Sequence, residues 1–434
     1  MIQAVRNAFN LPDLRRRILI TLLILIVYRM AAHIPVPNVD PVALRQVFEA
    51  NQLLGLLDLM SGGAMSSFSV MAMGVYPYIT ATIVMQLLQP IIPGLERLAQ
   101  EGEAGRAKLN RYTYYVAIPL SALQGYTQSQ ILQTQGVITN FGLSGETLLP
   151  TIATVFTLTA GTMFAIWLGE LITEQGIGNG LSVIIFGGIV SRIPQRIAAL
   201  WISDKPGLIA FFVIMAITVA VIVIVQEGQR RIPVQYGKRV LAMRGSRLRI
   251  AGGQSTHIPL RVNAAGMIPL IFAQSLLMLP GVIASYLVSS SNQTVSSIAS
   301  TIYRAFGGQG NAYYIMYFLM VVGFTYFYTA MIFEQQNLPE NLKRQGGFIP
   351  GIRPGKRTAD YLNGVMRRIT LVGAVFLAVV AVLPWIVDIL GVVENPGMML
   401  ITSSGLLIVV GVVLDTMKQL EAQLLMRHYE GFIK

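Results

Sequence analysis

The sequence predicts an all-α polytopic membrane protein with ten transmembrane helices in two inverted five-helix halves. Three observations lead there. Of the 434 residues, 54% are hydrophobic and only 12% charged, with a mean hydropathy of +0.61. A soluble domain carries roughly 25% charge. Apolar stretches of about 20 residues, the length that crosses a bilayer, recur along the whole chain. The basic residues gather in alternate loops. This composition excludes a soluble enzyme, a disordered chain and a coiled coil. Cysteine is absent, which excludes disulfides, zinc thiolate sites, iron–sulfur clusters and cysteine nucleophiles. His33, His257 and His428 are far apart and none lies in an HExxH pattern, so they read as interface or loop residues rather than metal ligands. No GxxxxGK[ST] phosphate loop is present, so nucleotide hydrolysis must come from another protein. No cofactor is expected.

In chain order the spans fall near 18–36, 70–90, 113–133, 148–169, 179–198, 207–226, 264–288, 312–333, 369–387 and 398–414. The first is expected to remain in place, because no small-residue cleavage site follows Ile34-Pro35-Val36-Pro37. The second is interrupted. A charge-free run from Leu59 to Leu95 is too long for one span and contains Ser61-Gly62-Gly63-Ala64-Met65-Ser66-Ser67. Glycine costs a helix about 1 kcal/mol, so the run reads as a short helix near 54–60, a break, and a full helix from about Gly74. Irregular backbone at membrane depth must be buried in protein or line water. Two readings stay open: a half-span packed into a central funnel, or an extracytoplasmic re-entrant loop with no gating role. The fifth span is the shortest, since only 17 residues separate Glu174 from Arg192.

Lys and Arg set the orientation. The N-terminal tail holds four, the 91–112 loop four, the 227–262 loop eight, the 334–368 loop seven and the C-terminal tail three, against six elsewhere. Both termini and the basic loops are therefore placed in the cytoplasm. One loop breaks the pattern: 170–178 carries Glu170 and Glu174 and no base. Five spans per half give halves of opposite topology, residues 1–200 (spans one to five) and 201–434 (spans six to ten). Such inverted repeats suit a protein that opens between its halves. Charge inside the spans is scarce. Arg29 and Arg192 can snorkel to the outer interface, and the midplane otherwise offers Thr80, Thr82, Gln86 and Gln124. A coupled transporter usually keeps ionisable side chains there.

The 227–262 loop alternates at Arg247-Leu-Arg-Ile250, turns at a Gly-Gly pair and continues as His257-Ile-Pro-Leu-Arg-Val262, which predicts a hairpin projecting into the cytoplasm. The 334–368 loop contains Gly346-Gly-Phe-Ile-Pro-Gly-Ile-Arg-Pro-Gly355, whose glycines and prolines enforce turns and present Arg353 at a tip. Two long basic loops side by side suit an acidic or RNA-bearing partner, although positive-inside loops are basic in any inner-membrane protein.

Several motifs converge on one family. Trp167-Leu-Gly-Glu-Leu-Ile-Thr-Glu-Gln-Gly-Ile-Gly-Asn-Gly180, Gly74-Val-Tyr-Pro-Tyr-Ile79, Gln229-Arg-Arg-Ile232, Gly346 to Gly355 and Leu406-Leu-Ile-Val-Val410 resemble the SecY family. Its members are central subunits of the bacterial Sec protein-conducting channel. The resemblance runs from about Leu14 to Phe432 in the family's order. It implies two inverted halves around an hourglass pore, and a second segment divided into a plug, about 57–70, and a gate helix from Val75. Plug residues would include Leu57, Ser61, Gly62, Gly63, Ala64, Met65 and Ser66. The waist would be ringed by Val75, Ile79, Leu181, Ile185, Ile271 and Ile408, with Val75 standing where Ile is commoner. A lateral gate would lie between spans two and three and spans seven and eight, with Thr80, Gln86 and Gln124 at its polar positions. Arg353, with Arg230, Arg231 and Lys356, would meet the SecA motor ATPase or the ribosome through its rRNA. SecE-like and SecG-like small membrane subunits, secretory precursor polypeptides and the lipid bilayer complete the implied partners, at the bacterial cytoplasmic membrane.

Read without the resemblance, the ring residues are also what any buried membrane helix contains. Two other classes lack the residues they need. A secondary transporter with inverted repeats would need a midplane acid pair, which is missing; an intramembrane hydrolase would need a Ser–His pairing or a metal set, and neither is present.

Overall fold

The computed structural model describes residues 11–50, 63–142, 145–203, 205–236, 240–244, 247–251, 255–287, 292–306, 310–389 and 400–430. They form fourteen helices and five strands. The first eight helices are α1 Pro12–Ala31, α2 Pro41–Ala50, α3 Tyr76–Leu88, α4 Pro93–Gln100, α5 Glu103–Thr134, α6 Gly145–Gln175, α7 Gly180–Ser203 and α8 Lys205–Glu227. Then come β1 Gln229–Tyr236, β2 Val240–Arg244, β3 Arg247–Ala251, β4 Ser255–Arg261, α9 Ile268–Leu287, α10 Gln293–Phe306, α11 Asn311–Gln336, α12 Leu338–Arg344, β5 Gly347–Phe348, α13 Lys356–Ile389 and α14 Leu400–Glu430.

Each apolar stretch of the sequence coincides with a helix, and several of these helices extend well past it. Among the described residues, Gly145–Gln175, Asn311–Arg344 and Lys356–Val387 are long and apolar enough to cross a bilayer. A fourth candidate is α3 followed by α4, which turn through 105° at the break. Gly180–Ser191, Phe211–Glu227 and Ile268–Leu277 are shorter apolar helices. The first span ends at Ala31, sooner than its hydrophobicity suggests. Beyond it the chain goes through turns, with Pro35 bridged to Ser69 and Val39 to Ile138.

The chain divides into two compact units, within 1–216, 275–314 and 384–434 and within 217–274 and 315–383. In the first, α5 packs between α3 and α6, α6 packs on α7, and α7 on α14, with α1 beside α6 and α7. Glycines permit the closest crossings. A Cβ on Gly161 would stand 1.9 Å from the Val70 carbonyl oxygen, and one on Gly180 would stand 1.7 Å from that of Gly169. These distances explain the spacing of glycines in the Trp167–Gly180 motif: α7 starts against the last turns of α6 and no side chain fits between them.

In the second unit the basic loop folds into strands, but not as the hairpin the alternation predicts: 247–251 and 255–261 do not pair with each other across the Gly-Gly pair, and each takes an earlier strand as its partner. Strand β1 pairs antiparallel with β4 from Gln229–Arg261 to Gln235–Ser255, and β2 pairs with β3. The sequence reading did not include β5, which pairs with the other edge of β1 through Gln235–Phe348 and Tyr236–Gly347. The sheet order is β4-β1-β5. Ile232, Val234 and Leu260 on its inner face pack with Phe333, Leu342, Ile349, Leu362, Val365 and Met366 in one apolar cluster. Burial of that cluster fixes the two basic loops to the ends of α11 and α13.

Candidate functional site

The described part of the break, residues 63–75, is a run of turns rather than continuous helix, and the helix after it starts at Tyr76. Leu57, Ser61 and Gly62 lie outside the described residues. Gly63 has φ +91°, open to glycine alone at no steric cost. Ser66 Oγ donates to the Gly63 carbonyl at 3.0 Å, closing the first turn. Backbone hydrogen bonds and buried side chains anchor the segment. Val36 N–H donates to the Phe68 carbonyl at 3.0 Å and Val70 N–H to that of Ile34 at 2.9 Å. Ala64, Met65, Phe68 and Met71 are buried, and Met65 and Phe68 pack with Val36, Leu44, Leu132, Phe141 and Leu158. Phe68 sits at φ +37°, a left-handed conformation that surrounding packing must hold in a bulky residue.

The apolar ring residues occupy four places. Val75 caps the start of α3 and accepts from Ile79 N–H at 3.1 Å, so the two share one face, Val75 buried and Ile79 half-buried. Leu181 and Ile185 hold the corresponding positions on the first turns of α7, with Leu181 seated over Gly169. Ile408 is on α14. Positions on α14 opposite α7 follow from two contacts: Gly405 meets Ile189, and Thr416 meets Gly178. These contacts run in opposite chain directions, so the helices are antiparallel and Ile408 comes level with Ile185. Both are buried. Ile271, also buried, belongs to the second unit.

The three polar gate positions differ. Thr80 Oγ1 donates to the Tyr76 carbonyl at 3.1 Å, so its hydroxyl is satisfied by its own helix. Gln86 Oε1 on α3 and Gln124 Oε1 on α5 are buried and accept no hydrogen bond among the described residues. An orphaned buried acceptor costs about 1–3 kcal/mol.

The basic side chains lie in the second unit. Arg230 and Arg231 are exposed on β1, and Arg353 and Lys356 are exposed at the tip and at the start of α13. The tip is rigid. Gly351 and Gly355 adopt φ +81° and +110°, Ile352 N–H donates to the Ile349 carbonyl at 3.0 Å, and the buried Thr358 Oγ1 donates to the Arg353 carbonyl at 3.0 Å. Glu170, assigned to a loop from its charge, instead lies inside α6 with the Tyr114 hydroxyl donating to it. The sequence gives little signal for this, since Gly169 stands directly before Glu170.

Comparison with known proteins gives a consistent result. The SecY family model matches residues 69–417. The protein translocase subunit SecY of Halalkalibacterium halodurans is 44% identical over 449 aligned residues, covering 100% of both chains. That of Thermotoga maritima is 41% identical, covering 100% of this chain and 98% of its own. Among solved structures, a protein-conducting channel superposes with a TM-score of 0.62 at 16% identity, covering 94% of this chain and 92% of that one. Sec61 from a canine ribosome–channel complex of the endoplasmic reticulum gives 0.63 at 16% identity, with the same coverage. A secondary transporter finds no support in these relatives.

Proposed function

The chain belongs to the SecY family, and from that premise we propose that it is a protein-conducting channel. It passes unfolded secretory polypeptides across the bacterial cytoplasmic membrane and releases hydrophobic segments sideways into the lipid. The observation that carries this reading is 44% identity over the full length of a translocase subunit. The chain spans the membrane ten times in two inverted halves, 1–200 and 201–434, with both termini in the cytoplasm. It does not itself catalyse a reaction.

The roles of the residues follow from what each can do. Val75, Ile79, Leu181, Ile185, Ile271 and Ile408 form the constriction. A narrow apolar ring dewets when empty and so refuses ions that would have to shed water. Its aliphatic side chains make no directional bond, so they yield around any passing sequence. Residues 57–70 form the plug, and the hydrogen bonds between 67–70 and residues 32–36 favour a seated resting position. Thr80, Gln86 and Gln124 lie at the lateral gate, where the unsatisfied glutamine oxygens weaken closure and let a signal helix compete. Sideways release is then a partition: ~10 residues such as Leu gain roughly 3–6 kcal/mol in total on entering lipid, whereas one central charge costs ~2.5–3.5 kcal/mol. Arg230, Arg231, Arg353 and Lys356 receive the SecA motor or ribosomal RNA, and SecE-like and SecG-like subunits assemble alongside.

The absence of cysteine makes the test direct. With Ile408→Cys in place and a single-cysteine secretory precursor arrested midway through export, a disulfide that requires the signal sequence is the expected outcome. No disulfide, together with export unaffected by bulky modification of the same cysteine, would leave the ring as ordinary helix packing.

A further inference from the structure

Glu170 is one of two acids that break the alternation of charge along the chain. It sits in the α6 helix, half-buried, at the level where α5 crosses. A carboxylate in such surroundings needs a donor, and the Tyr114 hydroxyl of α5 supplies it. The same Tyr114 ring stacks on Tyr78 of α3, with centroids 5.3 Å apart and planes inclined by 28°. Tyr114 therefore joins three helices through one side chain: hydrogen-bonded at its tip to α6, stacked at its face on α3. The hydroxyls of Thr80 and Thr82 are turned to their own helix, on the Tyr76 and Tyr78 carbonyls, and tie α3 to no neighbour.

We propose that Tyr78, Tyr114 and Glu170 are positioning residues forming a latch that holds α3 in its resting place, and that this latch sets how hydrophobic a signal segment must be to open the channel. Glu170 fixes the tip of the Tyr114 ring, the ring offers a fixed face to Tyr78, and Tyr78 lies on the helix that carries Val75, Ile79, Thr80 and Gln86. A segment that displaces α3 must first part the two rings. The proposal rests on the protein-conducting reading above and adds to it a determinant of substrate stringency.

The test compares export of two precursors by the full channel complex, one with an intact signal and one with a shortened apolar core. Tyr114→Phe keeps the ring and removes only the hydroxyl; Glu170→Gln removes the charge. In each, export of the weak-signal precursor relative to the intact one is expected to rise about tenfold, the order set by losing one hydrogen bond to a charged group. Tyr78→Leu is expected to act in the same direction. Combining it with Glu170→Gln should add little, because both act through Tyr114. An unchanged ratio in Tyr114→Phe and Glu170→Gln, with normal accumulation, overturns the latch. So does failure of even Tyr114→Phe to accumulate, which would make the trio a structural brace. If the unaltered chain exports neither precursor, the channel reading itself fails, and the latch with it.

Discussion

Gln86 and Gln124 carry buried amide oxygens with no donor among the described residues, while Thr80, assigned with them to the gate, has its hydroxyl satisfied within its own helix. Composition made the three look equivalent; hydrogen bonding separates them. Removing an orphaned acceptor relieves its desolvation cost, whereas removing a satisfied hydroxyl from a helix changes little. Gln124→Leu is therefore expected to raise the stability of the closed channel by about 1–3 kcal/mol and to lower export of precursors with weak signals. Thr80→Val should change both by much less. Thermal unfolding of the purified complex and the export ratio measure the two effects. Equal effects from the two variants would mean that apolar packing area, not the unsatisfied oxygen, controls closure.

Helices were legible because a lipid-spanning segment must be apolar for its whole length, and every apolar stretch coincided with one. Their ends were not, because hydrophobicity stops at the interface while hydrogen bonding continues: α6 runs on to Gln175 and so takes Glu170 out of the loop. Strands in the 227–262 loop were readable from alternation, but their partners were not: β4 pairs with β1 and β3 with β2 rather than with each other across the Gly-Gly pair. Strand β5 was not, since its two residues have no pattern of their own and owe their conformation to β1. The same holds for the tie between Ile34–Val36 and Phe68–Val70, which is made across the sequence. Of the site, the turn that exposes Arg353 was legible from its glycines and prolines; the anchoring of 63–75 was not, because small residues say nothing about which buried side chains hold them. Close crossings give a prediction at this scale. Gly180→Ala places a Cβ 1.7 Å from the Gly169 carbonyl oxygen, so α7 must shift from α6. A loss at or beyond the upper end of the roughly 1–3 kcal/mol range for overpacking is expected, seen as a lower unfolding temperature. Gly364→Ala, at an exposed position on α13, meets nothing within 4 Å and is expected to gain about 1 kcal/mol from helix propensity.

Across the whole molecule, a formal charge of +12 belongs to a chain with little charged surface, and its distribution decides what that charge does. The proposed orientation would put the basic loops on one side of the membrane, but it would not explain why one of them is built on a packed sheet. The sheet β4-β1-β5 brings the 227–262 and 334–368 loops onto a shared framework, with Ile232, Val234, Leu362 and Met366 burying its inner face. Arg230, Arg231, Arg353 and Lys356 are left exposed on it. A loop needed only for topology requires no such core. Fixed cations on a rigid framework meet a polyanion without losing side-chain and loop freedom on binding, and each phosphate they neutralise releases counterions. For the proposed ribosome contact, affinity is accordingly expected to fall linearly on a log–log plot against salt. Replacing Arg353 or Arg231 by Ala should weaken binding and flatten the slope by about one unit each. Arg304→Ala, on α10 in a loop assigned to the opposite side of the membrane, should leave the slope unchanged. Binding of ribosomes to the purified complex over a salt series measures this. A slope indifferent to Arg353 and Arg231 would reduce the basic loops to their topological role and shift recognition to uncharged surface.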